Sequence, residues 1–117
     1  MLKKKIKNQN NDILVLGDIF LDIFQTTDIL KMSPERPVPV LEPLKSINLL
    51  GGAANVANNI KSIGGSTFLI SKLSNDKISR TIKKLLTDNK IGFKILIDKS
   101  YSSPVKKRIV QNDHQFC

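Results

Sequence analysis

Three groups of residues have types and spacings suited to chemistry. The first is a pair of carboxylates, Asp18 and Asp22, in "DILVLGDIFLD", at or just past the end of a continuous apolar run. In open α/β sheets the carboxyl ends of strands are where ligands bind. The second is "LLGGAANVANNIKSIGG", where Gly51 and Gly52 stand at the mouth of a helical stretch. The first N–H groups of a helix have no internal partner and suit an oxygen-rich ligand, and glycine has no Cβ to hold that ligand off. Asn55, one turn further in, adds a side-chain amide that both donates and accepts. The third is Arg108 in "PVKKRIVQN", with Lys106 at the same-face spacing of a strand. A guanidinium grips phosphate oxygens in a fork, which makes Arg108 a candidate for a substrate phosphate. Each group also has a plainer reading. Paired glycines make ordinary tight turns, Asp18 can simply end a strand, Asp22 can be a turn aspartate, Asn55 can be an ordinary helix residue, and Arg108 can be a solvated charge. His114 is the only histidine and Cys117 the only cysteine, which excludes a histidine metal cluster and a disulfide within the chain. No metal ligands are expected.

The elements that must position these residues follow from periodicity. Residues 1–12 form a polar lead-in. "DILVLGD" has the unbroken apolar character of a strand buried on both faces. Residues 23–50 change texture: Pro34, Pro37, Pro39 and Pro43 exclude helix and any central strand position. Short edge strands forming a flap beside the main sheet are expected there. Residues 53–63 have helical period, with Ala53, Val56, Ala57, Ile60 and Ile63 on one face and Gly64-Gly65 as the stop. "STFLIS" reads as a second buried strand. "SNDKISRTIKKLLTDNKIG" reads as a second helix, with Ser74, Asn75 and Asp76 as start signals, Ile78, Ile82, Leu85 and Leu86 as the buried stripe, and Gly92 as its close. "FKILID" alternates as a half-exposed strand, and "PVKKRIVQN" is a last one. Strand alternating with helix is the rhythm of a parallel sheet with right-handed crossovers, so the fold class is α/β.

Composition narrows the classes further. A chain of 117 residues, 40% of them apolar, fits one domain or part of one and buries a real core. No run is long enough to span a bilayer and no secretory signal is evident, so a cytoplasmic protein is expected. The net charge of +9 raises nucleic acid as a partner, and a small basic nucleic-acid-binding protein is the rival reading. However, sixteen of the nineteen basic residues are lysine, and the few aromatics are scattered. That pattern favours a solvated basic surface without nucleic acid or membrane as a partner.

Four motifs stand in one order: "GDIFLD", "SPERPVPV", "GGAANVANNIKSIG" and "PVKKRIVQNDHQ". Together they resemble the amino-terminal part of ribokinase-like (PfkB) sugar kinases, and within them the heptose 7-phosphate kinases of ADP-heptose and lipopolysaccharide core synthesis. The resemblance runs from about Ile13 to Gln115, so 13–117 is expected to be part of such a kinase domain. It implies an αβα sandwich with a mostly parallel sheet and a small β lid over about 23–50. It also implies transfer of the terminal phosphoryl group of ATP, with Mg2+, to the anomeric hydroxyl of a phosphorylated sugar. Asp22 then falls where the family's aspartate grips sugar hydroxyls, and Gly51, Gly52 and Asn55 fall where backbone and amide close on the sugar. The lid segment implies a homodimer, and places Glu35 and Arg36 near the site. The sequence departs from the pattern at Ser71 and Ser74, where the family has glycines. It also lacks the Gly-x-Gly-Asp motif carrying the catalytic base and most of the ATP site. Hence no catalytic residue is assigned, the chain alone is expected not to turn over ATP, and a non-catalytic sugar-binding remnant is a further alternative.

Overall fold

The computed structural model describes residues 12–112 and 114–116. The polar lead-in before Asp12 and the single cysteine lie outside them. The order of elements is β1 (Asp12–Leu16), β2 (Ile19–Met32), β3 (Pro39–Gly52), α1 (Ala53–Ser62), β4 (Ser66–Leu73), α2 (Lys77–Asp88), β5 (Gly92–Ile97), β6 (Val105–Gln111) and β7 (His114–Gln115). Two sheets result. One is a parallel three-stranded sheet in the order β1-β4-β5, and the other is four-stranded in the order β3-β2-β6-β7. In the second, β2 runs antiparallel to β3 and parallel to β6.

Alternation decides which face of each strand is covered. Val15, Leu69 and Phe93 are in register across the first sheet and join the core with Leu73, Ala54, Ala57, Ile82 and Leu86. The opposite face carries Leu14, Leu16, Phe68 and Leu96, all exposed. The expectation that β1 is buried on both faces therefore fails: only Val15 is buried, and Leu16 is 75% exposed. A strand at the sheet's edge, with packing on one face only, has a single covered side.

Helix α1 corrects the expected stripe in a similar way. Ala54 and Ala57 are buried, with Ala53 and Ile60 packed against the core, whereas Val56 and Ile63 are exposed. Gly64, at φ 90°, supplies the left-handed stop. In α2, Ile82 and Leu86 are buried and Ile78 and Leu85 pack beside them. Its start is a capping box: Asp76 Oδ1 accepts from Ser79 N at 2.8 Å, and Ser79 Oγ accepts from Asp76 N at 3.2 Å. Lys90, at φ 58°, makes the left-handed turn after this helix, and Gly92 instead begins β5.

The proline-rich segment forms no short flap strands. It belongs to a hairpin of two 14-residue strands, β2 and β3. Pro34 and Pro37 sit in its turn, while Pro39 and Pro43 are tolerated within β3 because β3 is the edge of its sheet. No helix among the described residues is long and apolar enough to cross a membrane.

Candidate functional site

The site grows from the alternation of β2. Ile19 and Leu21 point into the core and are almost wholly buried. Phe20, Asp22 and Phe24 point the other way and line a cleft of about 400 Å³. The antiparallel register sets Gly51 opposite Phe20 and Leu49 opposite Asp22, so the diglycine turn reaches the same cleft. The parallel register sets Arg108 opposite Phe24, which brings a residue 86 positions along the chain onto Asp22. Helix α1 completes the wall with Asn55 and Asn58.

At both glycines the protein's own packing takes up the room a side chain would need. A Cβ on Gly51 would overlap the Phe20 ring, and a Cβ on Gly52 would run into the Asp18 carbonyl. Gly52 is the N-cap of α1 with φ 63° and ψ −137°, a backbone state that L side chains avoid. The Asp18 carbonyl also accepts from Ala53 N at 2.9 Å, taking up the first donor of α1. No side chain caps the turn.

Arg108 Nη2 donates to Asp22 Oδ2 at 3.2 Å, and the two side chains are 28% and 13% exposed respectively. The guanidinium also lies over the Phe24 ring, 4.8 Å from its centroid. Asp22 Oδ1 and Arg108 Nε are buried without a partner among the described residues. Orphaned polar atoms of this kind are costly unless something else satisfies them. Charge at the site is thus nearly balanced, and its walls mix aromatic faces with amide groups. Such a surface suits a neutral polyol better than a bare anion.

Of the residues singled out from sequence, Asp22, Gly51, Gly52, Asn55 and Arg108 meet in this cleft. Asp18 does not. It lines a separate cleft of about 290 Å³ with Ser71 and Lys72, and acts on the diglycine turn through its main-chain carbonyl. Lys106 is exposed and absent from the lining of the main cleft. Glu35 and Arg36 are in the outer hairpin turn, beyond Met32, which is ten residues after Asp22, or about 33 Å of strand. Phe20, Phe24, Leu49 and Asn58 also line the cleft, although sequence reasoning does not single them out. The period of two around Asp22 and the i, i+3 spacing of Asn55 and Asn58 are the signals that point to them.

Of Ser71 and Ser74, the first acts through its side chain and the second through its main chain. Ser71 Oγ donates to the Gly17 carbonyl at 2.6 Å, tying β4 to the turn after β1. Ser74 N donates to Ser103 Oγ at 3.0 Å, and Ser103 N donates to Asp76 Oδ2 at 3.0 Å. These bonds anchor the segment that leads into β6, and so help place Arg108.

The described residues offer no site for a metal ion. No group of three or more His, Cys, Asp or Glu converges among the described residues, and Asp22 is the only carboxylate in the cleft.

Comparisons with known proteins bear on the family and the fold. A family model described as "pfkB family carbohydrate kinase" matches residues 10–117. The chain is 37% identical over 110 residues to the bifunctional protein HldE of Campylobacter jejuni, covering 94% of this chain and 23% of that protein. It is 30% identical over 103 residues to the D-beta-D-heptose 7-phosphate kinase of Bordetella bronchiseptica, covering 88% and 33%. Among solved structures, phosphofructokinase-2 from Escherichia coli in complex with fructose-6-phosphate matches with a TM-score of 0.70 and 20% identity, over 91% of this chain and 34% of that one. The chain thus spans between about a fifth and a third of the curated relatives it matches.

Proposed function

The chain belongs to the pfkB carbohydrate kinase family, and from that premise we propose that its cleft holds the sugar acceptor of an ATP-dependent phosphoryl transfer, a heptose 7-phosphate. The observation that carries this reading is the convergence of Asp22, the Gly51-Gly52 turn and Asn55 on one cleft. Asp22 accepts hydrogen bonds from sugar hydroxyls, and the amides of Asn55 and Asn58 give and take others. The Phe20 and Phe24 rings cover the apolar face of the sugar ring. These contacts hold the sugar in a single orientation, which is the part of catalysis supplied by positioning. When bound, ATP would supply the phosphoryl group. With one carboxylate in the cleft, already tied to Arg108, the proton of the attacking hydroxyl passes to a group that this cleft does not supply.

The relatives' names support a heptose as the sugar. The hairpin of β2 and β3 exposes Leu30, Met32, Val38 and Leu44 well away from the cleft, which supports a homodimer formed through this hairpin.

The test is calorimetric titration of the 117-residue chain with D-glycero-D-manno-heptose 7-phosphate, for wild type and Asp22→Asn. Wild type is expected to bind, and the variant to bind at least about tenfold more weakly, because a charged acceptor has become neutral. Equal affinities would remove Asp22 from the sugar site. No binding by well-folded wild type would overturn the reading.

A further inference from the structure

We propose that Asp22 and Arg108 act as one donor–acceptor pair that recognises a sugar hydroxyl, and that Arg108 does not hold the substrate's phosphate. The proposal rests on the cleft being a sugar site, and it deepens that reading by assigning a ligand group to Arg108.

The geometry of the pair leads to this assignment. Nε and Nη2 lie on one edge of the guanidinium and together form the fork that meets a carboxylate in two parallel bonds. Here only one arm is closed, from Nη2 to Oδ2, and at 3.2 Å it is longer than a strong charge-assisted bond. The other arm is open on both sides, since Nε lacks an acceptor and Oδ1 lacks a donor among the described residues, and both atoms are buried. A hydroxyl is the one common ligand group that donates and accepts at a single oxygen. Placed between these atoms, it accepts from Nε and donates to Oδ1, completing both at once. A phosphate completes only the arginine, and it brings negative charge against the Asp22 carboxylate. That carboxylate already balances the charge of Arg108, so little positive field remains to attract an anion.

Phe24 makes the movement feasible. The guanidinium carbon lies over its ring 4.8 Å from the centroid, a non-directional contact that a small shift of the group retains. A shift of this kind opens the gap to Nε and Oδ1, which have almost no exposed surface. Arg108 is in this sense a specificity residue for hydroxyl position on the ring.

Two measurements on the whole chain test this. The first compares affinities for D-glycero-D-manno-heptose and its 7-phosphate in wild type and Arg108→Met. Both ligands are expected to weaken by the same factor, about tenfold, leaving their ratio within twofold of wild type. A ratio that collapses towards one would overturn the proposal, because the loss would then fall on the phosphate alone. The second needs no variant and decides the matter if Arg108→Met does not fold. With three arginines in the chain, the Nε–H resonance of Arg108 is assignable in wild type through its own side chain. Unphosphorylated heptose is expected to shift it, and inorganic phosphate at equal concentration to leave it in place. The reverse pattern would refute the role in hydroxyl recognition while leaving the cleft a sugar site. Failure of folded wild type to bind either sugar would bring down the sugar-site reading, and this proposal with it.

Discussion

Gly52→Ala isolates the turn on which the cleft depends. Gly52 joins β3 to α1 at φ 63° and ψ −137°, and holding an L residue there costs about 1–3 kcal/mol. The new Cβ also meets the Asp18 carbonyl, which is backbone and has no rotamer to yield. Moving that carbonyl stretches the 2.9 Å bond from Ala53 N, worth a further ~1 kcal/mol. Alanine restricts the unfolded chain and returns roughly 0.5 kcal/mol of this. The net loss is about 1.5–3.5 kcal/mol, a large share of the ~5–15 kcal/mol typical of a small domain. Urea unfolding followed by far-UV circular dichroism measures it, with an expected midpoint shift of about 2 M for a slope near ~1.5 kcal/mol/M. Gly51→Ala is the internal comparison. Its Cβ would overlap the Phe20 ring, a side chain that rotates away, so its stability loss is expected to be the smaller of the two. A loss at Gly52 below about 1 kcal/mol, or below that at Gly51, would refute this account of the turn.

Three other outcomes are expected. Asp76→Ala removes the α2 cap and the tie to Ser103, and lowers stability by about 1–2 kcal/mol near neutral pH. The N–H of Ser79 chiefly holds the Asp76 carboxyl below its ordinary value, so its stabilisation is complete above that value and disappears as pH falls through the lower folded-state value. Denaturation curves of wild type and Asp76→Ala should therefore converge on acidification below about pH 4. Leu69→Ala, at a wholly buried position, is expected to cost about 2–5 kcal/mol, and Val56→Ala, at a half-exposed one, less than ~1 kcal/mol. Equal losses would contradict the assignment of faces on α1 and β4. Leu14, Leu16, Phe68 and Leu96 lie exposed on one face of the parallel sheet, so sedimentation velocity should show a mass rising above 13.1 kDa with concentration. Charged substitutions at Leu14 and Leu96 should limit that rise to the dimer mass that the hairpin accounts for, and association beyond a dimer that they leave unaffected would place the contact elsewhere.

Much of this was legible in the sequence because it is local. The start of α2 is written in Asp76 and Ser79, three residues apart, and the end of α1 in Gly64. The prolines themselves lie in the turn and in the edge strand β3. The expectation that residues 23–50 hold no central strand fails, because residues 23–26 belong to β2 and pair with β3 on one side and β6 on the other. The order of strands and helices followed from hydrophobic period, and Asp22 and the diglycine turn stood out by residue type. Pairing and coverage were not local. Apolar content made β1 look buried on both faces, but which face of a strand is covered depends on what packs there, and three of its apolar side chains are exposed. The same applies to Val56, placed by period on the inner face of α1 and found half-exposed. Gly51 and Gly52 looked like space kept for a ligand. Tertiary packing shows that the Phe20 ring and the Asp18 carbonyl take up the room a side chain would need. Arg108 could be recognised as a fork, but its partner could not, because only the parallel register of β2 and β6 sets it beside Asp22. Sequence alone therefore determined the elements and their chemical groups, since caps, turns and periods act within a few residues. The tertiary structure decided which groups share a cleft, since that depends on strand register between segments far apart in the chain.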